Sequence, residues 1–248
     1  MLELLTDPNA WIAFATLTVL EIVLGIDNII FIAIVTGRLP EARQGPARRI
    51  GLSIAIILRV LMLTGIAWII SLTMPLFTVF GIGFSWRDLV LGAGGLFLLA
   101  KGTSEIHAEV EGAHEERSAS AASFGTVIVQ IAILDLVFSI DSVITAVGMA
   151  ERVEIMIAAV IVAILIMMAA SGPVAKFIHA NPTVKMLGLS FLLLIGMALV
   201  ADAAHFHIPR NYLYFAIAFS AAVETLNRLA ARRRKSSSPG RSRSESSG

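Results

Sequence analysis

Long apolar blocks separated by short polar connections set the pattern of this chain. Seven blocks read as helices, at 10–36, 50–74, 88–101, 123–149, 155–178, 185–203 and 211–230. Most reach the roughly 20 apolar residues that cross about 30 Å of hydrocarbon. The third is the shortest and is interrupted by "GAGG" at 92–95, where small residues allow close helix packing; a start nearer Phe77 would lengthen it. Pro75, Pro173, Pro182 and Pro209 fall at or near block ends, as helix punctuation does. The pattern predicts an all-α membrane protein with seven transmembrane helices.

Composition agrees. Of the 248 residues, 57% are hydrophobic and 15% charged, and mean hydropathy is +0.84, well above a soluble domain. The first block follows Glu3 and Asp7 instead of a basic segment and exceeds a signal-peptide core, so it is expected to stay attached. With no cysteine there is no disulfide or thiolate metal site, which leaves oxygen and imidazole donors. The net charge of +1 matters less than where it sits. Arg38, Arg43, Arg48 and Arg49 crowd the first connection, Lys176 and Lys185 flank the fifth, and Arg228, Arg232, Arg233, Arg234 and Lys235 close the last block. The positive-inside bias puts these in the cytoplasm, and seven spans then put the N-terminus outside. The segment 231–248 reads as a disordered basic, Ser-rich cytoplasmic tail whose arginines suit anionic lipid better than nucleic acid.

The stretch "LEIVLGIDNII" at 20–30 returns as "LDLVFSIDSVI" at 134–144, a shift of 114 residues that lays Glu21 on Asp135, Asp27 on Asp141 and Asn28 on Ser142. The first and fourth spans run in opposite directions, so the repeat is inverted: three-helix units at about 10–101 and 123–203, with 211–230 as an added helix. A two-fold axis in the membrane plane would bring both motifs together at mid-depth. Within each pair the carboxylates are six residues apart, about 9 Å along an ideal helix and about 120° around it, so they do not share a face. Either each acid addresses a different neighbour, or the helix opens near Gly25 and Ser139 and frees carbonyls for a cation. The opened helix is slightly preferred, and both readings stay open.

Glu21, Asp27, Asp135, Asp141 and Glu224 face one intramembrane arginine, Arg59. At roughly 2.5–3.5 kcal/mol per central acid on insertion scales, the four motif acids carry a burden of about 10 kcal/mol. Pairing with Arg59, Asn28, Ser142, Thr145 or Gln130 is the plainer account, but one arginine cannot neutralise four acids. The sharper account is a metal site made of Glu21, Asp27, Asn28, Asp135, Asp141 and Ser142, whose oxygen donors suit Mn(II), Mg(II) or Ca(II). No catalytic group or resident cofactor is called for, and the chain is not expected to be an enzyme. "HEERS" at 114–118 has Ser118 where a zinc protease needs its second histidine.

Two outlying groups are weighed beside this site. Glu105, His107, Glu109, Glu111, His114, Glu115 and Glu116 read as a solvated charge run in the inner connection before they read as a metal-gathering mouth. Asp202, His205 and His207, near the outer ends of the sixth and seventh spans, read as interfacial polar residues before an exit mouth.

The stretches "EIVLGIDNIIF", "DLVFSIDSVITAVGM", "GGLFLLAKGTSEIH" and "HIPRNYLYFAIAFSAAVETLN", in that order, resemble the TerC family of integral membrane proteins from the N-terminus to about Arg228. The resemblance implies a seven-helix bacterial inner-membrane protein, linked by family name to tellurium resistance and in several members to manganese export. It implies Glu21, Asp27, Asp135 and Asp141 as ion-site positions, with Asn28 and Ser142 beside them. Tellurite is an anion and a poor match for a negative site. The large cytoplasmic domains appended to some relatives are not expected here. The expectation is a proton-coupled exporter of Mn(II). Its rivals are export of Ca(II) or another divalent ion, and a non-transporting membrane chaperone or stress scaffold that supports metalation of exported proteins. Divalent metal, membrane lipid and other membrane proteins are the expected partners; nucleic acid is not.

Overall fold

The computed structural model describes residues 7–65, 72–79, 81–111, 123–149 and 152–236. Helix α1 (Pro8–Leu24) begins on Asp7, whose carboxylate accepts a hydrogen bond from the Asn9 N–H at 2.9 Å; Pro8 at the first position gives up no helical bond. Gly25 ends α1, and α2 (Ile26–Thr36) starts at the next residue. Helix α3 (Glu41–Thr64) follows. Strands β1 (Pro75–Val79) and β2 (Ile82–Ser85) pair antiparallel as a short hairpin, with Gly81 at φ 81° in its turn. Ser85 then caps α4 (Trp86–Val110): its hydroxyl accepts from the Asp88 N–H at 3.3 Å while the Asp88 carboxylate accepts from the Ser85 N–H at 2.9 Å. Helices α5 (Phe124–Met149), α6 (Val153–His179) and α7 (Pro182–Ala203) complete the unit that ends at Ile208. A second unit, from Pro209 on, holds α8 (Arg210–Ser236), which exposes Tyr212, Phe215 and Phe219, the last two stacked at 6.3 Å.

The chain is an all-α membrane protein apart from the hairpin. Pro8–Thr36 taken through Gly25, Trp86–Val110, Val153–His179 and Pro182–Ala203 are each long and apolar enough to cross a bilayer. Large apolar side chains such as Val19, Ile57, Leu61, Leu96 and Met197 lie exposed on their helices, as they should where the solvent is lipid.

Helix packing rests on small residues. A Cβ added at Gly95 would stand 2.7 Å from the Gly196 carbonyl oxygen, and one at Gly196 would stand 3.0 Å from that of Gly95. The backbones of α4 and α7 therefore touch, and "GAGG" is a packing face of an unbroken helix. Helix α1 packs on α6, α3 on both α5 and α6, α2 on α5, α6 and α7, and α4 on α5 as well as α7.

Several expected boundaries move. The second span begins at Glu41, not 50, and ends at Thr64; its polar first turns are helical, with long arginine side chains free to reach the interface. The third span is a full 25 residues, while Phe77, its alternative start, lies in β1 stacked on Phe84 at 5.7 Å. Pro173 lies inside α6 and Pro46 inside α3, a position membrane helices tolerate because neighbours re-satisfy the freed backbone groups. Helix α8 runs to Ser236, six residues into the expected tail, and 237–248 lie outside the described residues.

Candidate ion site

The break at Gly25 is local and has a cause. Gly25 takes φ −96°, ψ 2°, and its N–H turns back to the Ile22 carbonyl at 3.2 Å. A Cβ here would run into the thioether of Met167 on α6 and stand 3.0 Å from the Glu21 carbonyl oxygen. The missing side chain is what lets Met167 press against the break. At Ser139 the expected opening does not occur: α5 is continuous there. Ser139 is fully buried and its hydroxyl donates to Asp135 Oδ2 at 3.3 Å, one turn back along the same helix. A polar side chain satisfied within its own turn leaves the helix nothing to open for.

Around these positions three charged side chains meet. Arg59 is 2% exposed, Glu21 2% and Asp135 7%, so solvent does not screen them. One arm of the Arg59 guanidinium donates to Glu21 Oε2, and the other donates to Asp135 Oδ1 at 3.3 Å. Asn28 Nδ2 also donates to Asp135 Oδ1, at 3.4 Å. Arginine suits this place because its planar fork addresses two carboxylates at once and does not deprotonate. Its Nε has no partner among the described residues.

Asp27 stands in the first turn of α2, half-buried, with its carboxylate accepting the Asn28 N–H at 2.9 Å. The break thus gives Asp27 a helix N-terminus, where a negative charge is favoured. Its charge also acts on Arg59. Ser142 is buried but its hydroxyl donates to the Ser139 carbonyl at 3.2 Å. Asp141 is carried by α5 and its side chain lies outside the described ones. Of the six positions named from sequence, Glu21, Asn28 and Asp135 are therefore gathered around Arg59, Asp27 stands beside them, and Ser142 is turned to its own backbone. Asn28 and Asp135 form the polar wall of a small crevice otherwise lined by Phe31, Ile32, Ala55, Ile131 and Leu134.

No three histidine or acidic side chains among the described residues converge as metal ligands do. Between Glu21 and Asp135 stands the guanidinium itself, a cation supplied by the chain. The plainer account, pairing with Arg59, holds for these two acids in this conformation.

The outlying groups also find partners. Glu105 pairs with Arg38 and, at 3.8 Å, with Lys101; Glu109 pairs with Lys185 at 2.5 Å; exposed His107 meets Glu111 at 3.0 Å. The Glu105 and Glu109 pairs tie α4 to the connection after α2 and to α7 at one end of the unit, while His114, Glu115 and Glu116 lie outside the described residues. At the other end His207 Nδ1 lies 3.0 Å from Asp202, and His205 Nε2 lies 3.6 Å from Asp88 Oδ2, which also accepts from the Ser85 hydroxyl at 2.6 Å. Buried Asp88 was not singled out from sequence; its signal is the capping-box spacing Ser85-x-x-Asp88.

The family description that fits this chain, integral membrane protein TerC family, matches residues 6–238. The chain belongs to the TerC family. It is 51% identical over 223 residues to the UPF0053 inner membrane protein YgdQ of Escherichia coli K12, covering 90% of this chain and 94% of that protein. It is 50% identical over 229 residues to a UPF0053 protein of Haemophilus influenzae, covering 92% and 97%. The UPF0053 inner membrane protein YoaE of E. coli K12 is 49% identical over 233 residues, 93% of this chain but 45% of YoaE. No solved structure matches. The resemblance carried by the paired motifs is thus family membership, and this TerC chain is a multi-pass membrane protein of the kind its relatives' names place in the inner membrane.

Proposed function

We propose that this TerC-family protein is a secondary transporter that exports divalent cations, Mn(II) foremost, from the cytoplasm in exchange for protons. The observation that carries the reading is the buried Glu21–Arg59–Asp135 cluster, two acids on one arginine out of solvent, with half-buried Asp27 beside it at the meeting point of both motif helices.

The packing supports an inverted repeat in which α1–α2, α3 and α4 correspond to α5, α6 and α7. Contact of α1 with α6 then has its counterpart in α5 with α3, and α2 with α7 in α5 with α4, while the α4–α7 and α3–α6 contacts map onto themselves. "AIILR" at 55–59 matches "AILIM" at 163–167, which puts Met167 where the first half has Arg59. Such repeats rock against each other around a site at their interface.

Between Glu21 and Asp135, Arg59 is the resting counter-cation. A divalent ion entering from the cytoplasm takes oxygen donors from Asp27, Asp141 and Asn28 and competes with the guanidinium for Asp135. On the outer side, protonation of the same carboxylates releases it. Export of a dication against an inside-negative potential costs about 4.6 kcal/mol per 100 mV, so an inward proton flux is the natural source of work. The end carrying Arg38, Lys101 and Lys185 is the cytoplasmic one by the positive-inside rule, with the N-terminus outside. No covalent chemistry is assigned to the site.

The test is flux of Mn(II), Mg(II) and Ca(II) into vesicles of purified protein under an imposed pH gradient. Wild type moves Mn(II), and Asp27→Asn or Asp141→Asn stops it. Absence of flux for every ion from wild type would end this reading. A second reading, a non-transporting chaperone or scaffold, is favoured by the Arg59 pairs, which equally serve to lock helices together; it expects partner capture to survive loss of the acids.

A further inference from the structure

At the end of the unit that carries Arg38 and Lys185, a groove opens between α3 and α6. Gly45, Arg48 and Arg49 line it from α3, and Leu165, Ala169 and Gly172 from α6, around a volume of about 400 Å³ that is partly open to the outside. Small residues line both walls: Gly45 on α3, and Ala169, Ser171 and Gly172 on α6. A Cβ added at Gly45 or Gly172 would meet nothing within 4 Å. Pro173 has no N–H to offer the Ala169 carbonyl, and Pro46 interrupts α3 in the same way on the facing wall. Leu165, Ala169 and Arg49 are exposed, so the groove faces the surroundings of the bundle and not its core.

Its charge is unbalanced. Neither Arg48 nor Arg49 has a carboxylate partner among the described residues; at this end Glu105 pairs with Arg38 and Lys101 and Glu109 with Lys185, while Glu41, two turns before Arg48 on α3, is exposed. Arg48 and Arg49 both line the groove, about 100° apart around α3, and each guanidinium offers paired donors that suit phosphate oxygens. From Gly172 to Leu165 the α6 wall climbs about 10 Å toward the bilayer centre, enough for the first methylenes of an acyl chain.

We propose that this groove binds an anionic phospholipid, with Arg48 and Arg49 holding the headgroup phosphate and the acyl chain lying along Leu165 and Met168. A soluble anion would explain the arginines but not the apolar wall, and a neutral lipid would explain the wall but not the arginines. The proposal stands apart from what the protein transports.

The full chain, purified in detergent, is offered equal phosphatidylglycerol and phosphatidylethanolamine, and retained lipid is counted by native mass spectrometry. Wild type retains phosphatidylglycerol over phosphatidylethanolamine by about fivefold or more. The pair Arg48→Gln with Arg49→Gln brings that ratio close to one. So does Gly172→Leu, which fills the groove while leaving both arginines and meeting no neighbouring atom at its Cβ. Circular dichroism of both variants matching wild type secures the comparison. Replacing Arg232, Arg233 and Arg234 with Gln leaves the ratio unchanged, as does millimolar inorganic phosphate. The proposal is overturned if wild type shows no preference, if either groove variant keeps it, if the tail variant abolishes it, or if inorganic phosphate displaces the lipid.

Discussion

The two copies of the acidic motif share one spacing and end in different structures. The first is interrupted at Gly25, against which Met167 of α6 is pressed; the second runs unbroken through Ser139, and its Asp135 is met by Arg59 of α3. A single guanidinium therefore serves both motifs, reaching Glu21 in one and Asp135 in the other. The three described acids are not interchangeable: Glu21 and Asp135, at the first motif position, pair with Arg59, while Asp27 at the second sits half-buried at a new helix start.

The largest blow to this asymmetry is Arg59→Met, which removes the shared guanidinium. It strands two buried carboxylates, and breaking such a pair costs about 3–5 kcal/mol. A marked fall in the detergent melting temperature is expected, with part of it restored by adding Asp135→Asn; an unchanged melting temperature would mean that Arg59 holds nothing. Next comes the contrast between positions. Asp135→Asn removes one arm's partner and should cost roughly 2 kcal/mol of stability, whereas Asp27→Asn should leave melting nearly unchanged and lose Mn(II) flux. If both variants behave alike in melting and in flux, the acids are equivalent after all.

Gly25→Val tests the break. Its side chain enters space held by Met167, for an overpacking cost of about 1–3 kcal/mol that Met167→Ala should relieve. Failure of that rescue would detach Met167 from the interruption. The smallest effect is expected at Ser139→Ala, which loses one 3.3 Å hydrogen bond, about 1 kcal/mol, and keeps the helix. A larger loss would show that Ser139 does more than hold Asp135.

Much of the fold is legible in the blocks, because apolar length is a direct consequence of bilayer thickness. The boundaries that shifted are those where this logic weakens. Glu41 to Arg49 look like a connection but are helical, since a membrane interface accepts charge on a helix. The run from Pro75 to Ser85 is apolar enough to pass for part of a span, yet it is a hairpin closed by Gly81 at positive φ. The break at Gly25 was legible from a glycine between two acids; the continuity at Ser139 was not, because it depends on a hydroxyl finding a carboxylate one turn away.

From the sequence alone came the membrane environment, the repeated pair of acidic motifs and the excess of negative over positive charge between them. These follow from composition and order, which folding does not alter. Which acid meets the arginine was decided only by tertiary structure. Arg59 lies 38 residues from Glu21 and 76 from Asp135 along the chain. Charge pairing away from water depends on separation in space, and only the packing of α3 beside α5 and near the end of α1 brings those three side chains within reach.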